Sequence, residues 1–287
     1  MNSEFQNISI LGGGLLGGSL ALALLNQENP PTVHLWVRRE SSLLEAQNLG
    51  ISNTTTHLPS AVTHADLLIL AVPVGAMPDL ITAAILAGLP KTCLITDVGS
   101  VKRTPHLTLA PLLAPHAIPF IGSHPMAGSE KNGLTAALPS LFEGAACLLT
   151  NDDNAPTHLT EPLARFWQSV GCHTHWTTAT EHDELVARIS HLPHILAAAG
   201  AHTSLQNPSE GRFGGGGLRD TTRVAAGNPD MWAEILIENR HALLSPLRQT
   251  IDQLREILAS LENADHEAAR QWLTTAKSLR DTLNQPR

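Results

Sequence analysis

The sequence predicts an α/β fold, in which an N-terminal doubly wound parallel sheet is followed by an all-helical domain. Two observations support this prediction. Short apolar runs alternate with helical patterns up to about residue 178, and a glycine-rich turn joins the first run to the first helical pattern. Beyond that point only long helical patterns remain. We therefore expect a sheet domain over residues 1–178 and a helical domain over residues 179–287.

The strands of the first domain are predicted from short apolar runs bounded by glycine, proline or polar residues. These runs are Ile8–Leu11, Val33–Val37, Leu67–Val72, Cys93–Thr96, Phe120–Gly122, Ala145–Thr150 and His173–Thr177. Apolar residues recur at helical spacing between several of them, in Ser19–Leu25, Leu43–Leu49, Met77–Ala87 and Leu159–Val170. Strand–helix–strand repetition requires crossover connections, which place the joined strands parallel in one sheet.

The second domain is predicted from three long amphipathic segments. They cover Glu184–Leu205, Met231–Leu261 and Ala264–Leu283, and a glycine run, Gly214–Gly217, lies between the first two. Helices with apolar faces and no sheet of their own must bury those faces on one another, on the first domain or on a second subunit.

Composition excludes several classes of function. The formal charge is −8 and lysine and arginine form no cluster, so nucleic-acid binding has no electrostatic support. No apolar run approaches the ~18 residues of a membrane helix, and residues 1–7 lack the features of a signal peptide. The widely spaced Cys93, Cys147 and Cys172 argue against a disulfide framework or a cysteine-based metal site. We expect a cytoplasmic protein that is not bound to a membrane and holds no metal.

A dinucleotide site is predicted where the first strand ends. The run Ile8–Leu11 leads directly into GGGLLG at 12–17, a G-x-G-x-x-G motif that precedes a helical pattern. In such a turn Gly12 permits the tight bend, Gly14 lets the backbone approach a pyrophosphate, and Gly17 lets helix and strand pack closely. Leu15 and Leu16 then begin a helix whose free N–H groups favour phosphate. The combination predicts a Rossmann-like domain that binds NADP or NAD.

The choice of dinucleotide depends on the residues after the second strand. NAD-binding domains commonly place an Asp or Glu there, which accepts a hydrogen bond from the ribose 2′-hydroxyl. This chain has Arg38, Arg39, Glu40 and Ser41 instead. Arginine suits a 2′-phosphate and cannot accept a hydrogen bond, so we expect NADP to be preferred and NAD to remain possible. The alternative is a pair of solvated surface arginines with a relaxed choice of cofactor.

Further polar residues should face the cofactor, because ligands of doubly wound sheets lie at the carboxyl ends of the strands. Val72 ends the third run and Pro73 follows it, and we include both in the cofactor site. Thr96–Lys102 and Gly122–Glu130 begin at the last residues of the next two runs. In the helical half, Ser190–His194 and Gly214–Arg223 also concentrate polar residues.

Together these stretches resemble the prephenate/arogenate dehydrogenase family. Six segments match in order over nearly the whole chain: GGGLLGGSLA at 12–21, DVGSVK at 97–102, SHPMAGSE at 123–130, SHLPH at 190–194, GGGGLRDTTR at 214–223 and NPDMWAEILIENR at 228–240. The resemblance implies a catalytic nucleotide-binding domain and a homodimer formed mainly through the helical domain. It also implies that a 4-hydroxy-cyclohexadiene loses hydride from C4 to NAD(P)+ and its ring carboxylate as CO2.

The resemblance assigns catalytic roles to His124 and Ser100. A neutral histidine can accept a hydrogen bond from the 4-hydroxyl as hydride leaves. Ser100 is expected to reach the nicotinamide or that hydroxyl. For His124 the alternative is a histidine that only caps a turn.

The substrate carries two carboxylates, and the resemblance also assigns residues around them. Arg223 matches a carboxylate-binding arginine, with a salt bridge to Asp220 as the alternative. His194 matches a histidine near the side-chain carboxylate, which favours prephenate over arogenate, and the alternative is a core histidine. Further contacts are expected from Ser129, Glu130 and Trp232, any of which, like Ser100, could be structural, and from Gly216 and Arg219. The glycine run with Arg219 resembles a loop near the partner's active site, although a flexible linker is the alternative.

Two other classes of protein share this predicted architecture. A 3-hydroxyacid-type dehydrogenase or an imine reductase would commonly use a lysine on the first helix of the second domain, and Glu184–Leu205 contains none. A non-catalytic NADP-binding module would leave His124, His194 and Arg223 without a role. The sequence thus favours the dehydrogenase that decarboxylates its substrate.

Overall fold

The parallel sheet predicted for the first half of the chain is present in the computed structural model, which describes residues 4–129, 131–207 and 209–284. Its strands are β1 (Asn7–Leu11), β2 (Thr32–Trp36), β3 (Thr54–Thr55), β4 (Leu67–Leu70) and β5 (Leu94–Asp97). They pair in parallel in the order β3-β2-β1-β4-β5. The order reverses between β1 and β4, so the carboxyl ends of these two strands border the crevice where doubly wound sheets bind ligands.

Helices cover both faces of this sheet. They are α1 (Leu15–Leu25), α2 (Glu40–Asn48), α3 (Leu58–Val62), α4 (Met77–Leu86) and α5 (Arg103–Leu113). Along β4, Leu67 and Ile69 enter one buried cluster with residues of α1, whereas Leu68 and Leu70 enter another with residues of α4 and α5. Alternate side chains of a strand point to opposite faces, so the sheet has a core on each side.

A second sheet differs from the expectation. Strands β6 (Gly122–Pro125), β7 (Ala146–Thr150) and β8 (His173–Thr177) form it, and α6 (Thr157–Ser169) connects the last two. β6 pairs antiparallel with β7, and β7 pairs parallel with β8. The prediction that Phe120–Gly122 belongs to the parallel sheet is wrong in part, because Phe120 makes an isolated parallel bridge with Ile95 and the strand that follows, β6, pairs with β7 instead. The chain stays extended to Pro125 because β7 supplies an antiparallel partner, and His124 therefore lies within a strand.

The helical half begins with α7 (Ala179–Val186), which has a capping box formed by Thr178 and Glu181. A π-helical turn, Ala187–His191, separates α7 from α8 (Leu192–Ser204). Next come α9 (Gly216–Thr222) and α10 (Pro229–Glu238). Gly216 and Gly217 belong to α9, so the glycine run begins a helix.

By its internal contacts the chain divides into two units, Met1–Asn239 and Arg240–Arg287. The second unit consists of α11 (Arg240–Glu262) and α12 (His266–Asp281), which contact each other. The single helix predicted over Met231–Leu261 is two helices, because α10 ends at Asn239. The domain boundary near residue 178 stays a prediction from the sequence. Among the described residues no strand follows β8, and no helix is both long and apolar enough to cross a membrane.

Candidate active site

The glycine-rich loop lies at the carboxyl end of β1, beside the ends of β2 and β4. The N–H of Gly12 donates to the carbonyl of Trp36 at 3.0 Å, and the N–H of Ala71 donates to the carbonyl of Leu11 at 2.8 Å. Gly12 has a φ of +124°, and a Cβ there would lie 2.2 Å from the carbonyl oxygen of Ala71. A Cβ on Gly17 would lie 2.0 Å from the carbonyl oxygen of Gly12. Both positions therefore require glycine.

Open space lies beside Gly14, where a Cβ would meet no atom within 4 Å. Gly14 is the N-cap of α1, whose first residues, Leu15 and Leu16, are half-buried. Across the crevice, half-buried Val72 and exposed Pro73 follow β4. A helix N-terminus with room for close approach fits the pyrophosphate of a dinucleotide.

The side chains after β2 are charged and exposed. Arg38, Arg39 and Ser41 all face solvent, and the ion pairs of the described residues include neither arginine. Glu40 accepts a hydrogen bond from the hydroxyl of Thr56 at 2.9 Å, which engages one oxygen of its carboxylate. Two cations and a hydroxyl donor are thus available next to the glycine-rich loop.

A buried ion pair fixes the turn after β5. Asp97 and Lys102 are both fully buried and pair with each other. The same carboxylate accepts the N–H of Gly99 at 2.9 Å and the N–H of Ser123 at 3.1 Å. Asp97 therefore ties the turn that carries half-buried Ser100 to β6. Two backbone donors thus stabilise the buried carboxylate in addition to Lys102.

His124 on β6 is the first member of a hydrogen-bonded chain, which we call the His–His–Asp triad. Its Nδ1 lies 2.8 Å from Nε2 of His182, and Nδ1 of His182 lies 2.8 Å from Oδ1 of Asp183. Oδ1 and Oδ2 of Asp183 accept the backbone N–H groups of Lys102 and Arg103 at 2.7 and 3.0 Å. The three side chains of the triad are buried. The triad links β6, α7 and the start of α5.

The surroundings keep the two histidines of the triad neutral. Burial lowers the pKa of His124 well below its ordinary value, and the neighbouring His182, Lys102 and His191 lower that pKa further. Burial also lowers the pKa of His182, against the opposing effect of Asp183. A neutral imidazole has one nitrogen that can accept a proton. The site can therefore act on a hydroxyl group at neutral pH.

A second histidine cluster lies at the π-helical turn. Nδ2 of Asn239 donates to the carbonyl of Asp183 at 2.8 Å and lies 3.0 Å from Nδ1 of His191. The ring of His194 stacks on Trp232, with centroids 3.6 Å apart. Nε2 of His191 and Nδ1 of His194 are buried and have no partner among the described residues. Buried polar atoms are normally hydrogen-bonded, so both nitrogens are candidates for contact with a ligand.

The remaining residues predicted for the substrate site are exposed where the structure describes them, apart from Trp232. Arg223, Gly216 and Arg219 are exposed, although the segments that carry them contact α8. Ser129 is exposed and accepts the N–H of Lys131 at 3.1 Å. Glu130 lies outside the described residues. Within residues 4–129, 131–207 and 209–284, no group of three or more His, Cys, Asp or Glu side chains could hold a metal ion.

Sequence reasoning did not identify His182, Asp183, His191 or Asn239 as site residues. For the first two a signal exists in the helical pattern. The buried face of α7 carries Ala179, His182, Asp183 and Val186, spaced as an apolar stripe is spaced. Two polar residues on a face that the pattern predicts to be buried indicate a structural or functional hydrogen-bond network.

Two family models match the chain. A model of the nucleotide-binding domain of prephenate dehydrogenase matches residues 20–176, and a model of the dimerization domain of prephenate dehydrogenase matches residues 178–275. The chain is 36% identical to the cyclohexadienyl dehydrogenase of Zymomonas mobilis, over 91% of this chain and 90% of that one. It is 33% identical to the prephenate dehydrogenase of Bacillus subtilis, over 99% of this chain and 77% of that one.

A solved structure has nearly the same fold. Prephenate dehydrogenase from Aquifex aeolicus, in complex with hydroxyphenyl propionate and NAD+, superposes with a TM-score of 0.86. It is 27% identical, and the alignment covers 97% of this chain and 98% of that one.

Proposed function

The chain belongs to the prephenate dehydrogenase family, and from this membership and the site we propose that its reaction is the oxidative decarboxylation of prephenate to 4-hydroxyphenylpyruvate. It is an NAD(P)-dependent oxidoreductase of tyrosine biosynthesis. The observation that carries the proposal is His124, a buried neutral histidine on the strand that follows the dinucleotide-binding sheet. The bound nicotinamide would accept the hydride from C4 of the substrate.

The chain's own residues would divide the work as follows. His124 accepts the hydrogen bond of the 4-hydroxyl, and Ser100 on the turn after β5 orients that hydroxyl or the nicotinamide. Arg223 and His194 face the carboxylates, with Trp232 stacked on His194. Ser129, Glu130, Gly216 and Arg219 complete the pocket. Cofactor contacts come from Gly12, Gly14, Gly17, Leu15, Leu16, Val72 and Pro73.

Prephenate is preferred to arogenate in this proposal because of the second histidine cluster. Nδ2 of Asn239 is a donor, so Nδ1 of His191 accepts and the unpartnered Nε2 carries the proton. Burial lowers the pKa of His191 to about 4, so the ring remains a neutral donor. A donor suits the keto and carboxylate oxygens of prephenate better than the ammonium group of arogenate. The relative from Z. mobilis, a cyclohexadienyl dehydrogenase, makes acceptance of both substrates the second candidate.

NADP is the proposed cofactor, with NAD as the alternative. Exposed Arg38 and Arg39 after β2 support the 2′-phosphate, whereas the A. aeolicus relative was solved with NAD+. We further propose that the enzyme is a cytoplasmic homodimer formed through the helical half. The match of residues 178–275 to a dimerization domain supports the dimer.

The test is a spectrophotometric assay of the purified protein with prephenate and arogenate, each with NAD+ and NADP+. We expect absorbance of the reduced cofactor to rise fastest with prephenate and NADP+, with 4-hydroxyphenylpyruvate as the product. Faster turnover of arogenate would reverse the choice of substrate. No turnover in any of the four reactions would refute the proposed function.

A further inference from the structure

The hydrogen bonds of the His–His–Asp triad can have only one order of donors and acceptors. This order determines which ring nitrogen of His124 carries a proton. Asp183 is the fixed end. Its two oxygens accept the N–H groups of Lys102 and Arg103 at the start of α5. Backbone donors at a helix start favour an ionised carboxylate. Towards His182, Asp183 can therefore only accept a hydrogen bond.

The proton positions of both histidines follow from this end. Nδ1 of His182, 2.8 Å from the carboxylate, must carry the proton and donate. Because the ring is neutral, Nε2 of His182 is an acceptor. Nδ1 of His124, 2.8 Å from that acceptor, must in turn donate. The second nitrogen of neutral His124, Nε2, is then left with a lone pair and no proton.

We propose that His182 and Asp183 are positioning residues that fix the tautomer of His124, so that Nε2 of His124 is the acceptor for the substrate hydroxyl. The assignment of that hydroxyl rests on the proposed function. When charge builds on the imidazole during hydride loss, the same chain supports it: His124 donates more strongly to His182, and His182 to the carboxylate. Neither positioning residue needs to touch the substrate.

The decisive variant is Asp183→Asn. It preserves the shape of the side chain and replaces the acceptor that faces Nδ1 of His182 by a donor. The amide oxygen, in the place of Oδ2, would keep the N–H of Arg103, and the amide nitrogen, in the place of Oδ1, would donate to Nδ1 of His182 and lose the bond from the N–H of Lys102. His182 would then hold its proton on Nε2, and His124 would hold its proton on Nε2 as well. We expect kcat to fall by ~10²–10⁴, the usual contribution of a general base, while KM for the cofactor stays unchanged.

The matched control is Asp153→Asn. Asp153 lies 2.8 Å from Nδ1 of buried His106, whose Nε2 lies 2.9 Å from the hydroxyl of Thr150. This pair has the same chemistry and does not connect to His124. We expect kcat of Asp153→Asn to equal that of the wild type, so that loss of a His–Asp bond alone does not explain the effect.

A change of tautomer is distinguished from a loss of structure by the ¹⁵N chemical shifts of the histidine ring nitrogens in ¹⁵N-histidine-labelled protein. The signals of His124 are those that disappear in His124→Asn. The wild type should show Nδ1 protonated and Nε2 unprotonated, and Asp183→Asn should show the reverse. If Asp183→Asn does not fold, His182→Leu leaves the bonds to α5 intact and should also lower kcat. Wild-type His124 protonated on Nε2 overturns the proposal, as does a loss of kcat with the tautomer unchanged. Absence of turnover in the wild type would contradict only the proposed function, because the ring shifts are measured without substrate.

Discussion

Burial determines what His124 can do. An exposed histidine is partly protonated near neutral pH and would offer the substrate a second donor. Burial lowers the pKa of His124, and the neighbouring His182 and Lys102 lower it further. The imidazole is therefore already neutral and can accept a hydrogen bond before the reaction begins. Lys102 can stand this close because Asp97 pairs with it and keeps its charge compensated. The residues after β5 and β6 therefore set the protonation state that the chemistry requires.

The first prediction is that His124→Asn keeps the fold and loses the reaction. The side-chain amide is smaller than the imidazole and is a poor proton acceptor, so kcat should fall by ~10²-fold or more. Steady-state kinetics measures the loss, and titration with the dinucleotide should show unchanged cofactor binding. Exposed His158 on α6 provides the control, His158→Gln, with wild-type kinetics. Near-wild-type turnover of His124→Asn would mean that another group accepts the hydrogen bond.

Cofactor choice is also decided by single residues. Arg38→Asp should lower the NADP+/NAD+ ratio of kcat/KM about tenfold or more, the equivalent of one charge-assisted hydrogen bond. The change should lie mainly in KM, since the 2′ group is remote from the hydride and binds alike in the ground and transition states. Lys91→Asp reverses an exposed charge at the amino end of β5, away from the glycine-rich loop, and should leave the ratio unaltered. A wild-type enzyme that already uses NAD+ equally well would contradict the prediction.

At the scale of helices and strands, the local pattern of apolar residues predicted most of the elements. It did not predict the ends of those elements that depend on contacts with residues far away in the sequence. The runs that gave β1, β4 and β5 are buried on both faces, and buried residues alternate with less buried ones along β2, so the composition of all four runs predicted strands. The end of β6 at Pro125 depends on β7, which lies more than twenty residues further along the chain. The end of α10 depends on the bonds of Asn239 to Asp183 and His191, 56 and 48 residues away. For the same reason the glycine-rich turn after β1 could be predicted from local pattern, whereas the contact of His124 with His182, 58 residues away, could not.

The third prediction concerns the stability of the segment formed by α7, the π-helical turn and α8. His182, His191 and His194 on it have a lowered pKa because of burial. Such a group binds a proton more readily in the unfolded chain, so the free energy of unfolding is greatest above the ordinary histidine pKa and falls with pH below it. For His191 the loss extends to about pH 4 and amounts to about 3 kcal/mol. Thermal unfolding at several pH values between neutrality and pH 4 should show this decline.

A variant separates His191 from the other acid-sensitive groups. His191→Asn keeps an acceptor for Asn239 and removes the titrating ring, so its stability should fall less steeply with acid than that of the wild type. His158→Gln removes an exposed histidine and should follow the wild-type slope. Identical slopes for all three proteins would show that His191 does not contribute to acid sensitivity.

On the scale of the whole molecule, the second unit carries an apolar stripe. Leu244, Ile251, Leu254, Leu258 and Leu261 of α11 are all exposed, and their spacing follows a heptad. A stripe of this size exceeds the scattered apolar residues that a monomer normally exposes. Its position within the segment that matches a dimerization domain fits the proposed homodimer.

The last prediction is that this stripe is part of the subunit interface. The double variant Leu254→Asp and Leu258→Asp should convert the protein from a dimer to a monomer, because two buried carboxylates per chain cannot be paired there. Sedimentation or light scattering should then give the chain mass of 30.6 kDa instead of twice that value. Gln249→Asp, an exposed position on the opposite face of α11, adds a charge without touching the stripe and should remain a dimer. A double variant that stays dimeric would place the interface on other residues, and a monomeric wild type would rule out the homodimer altogether.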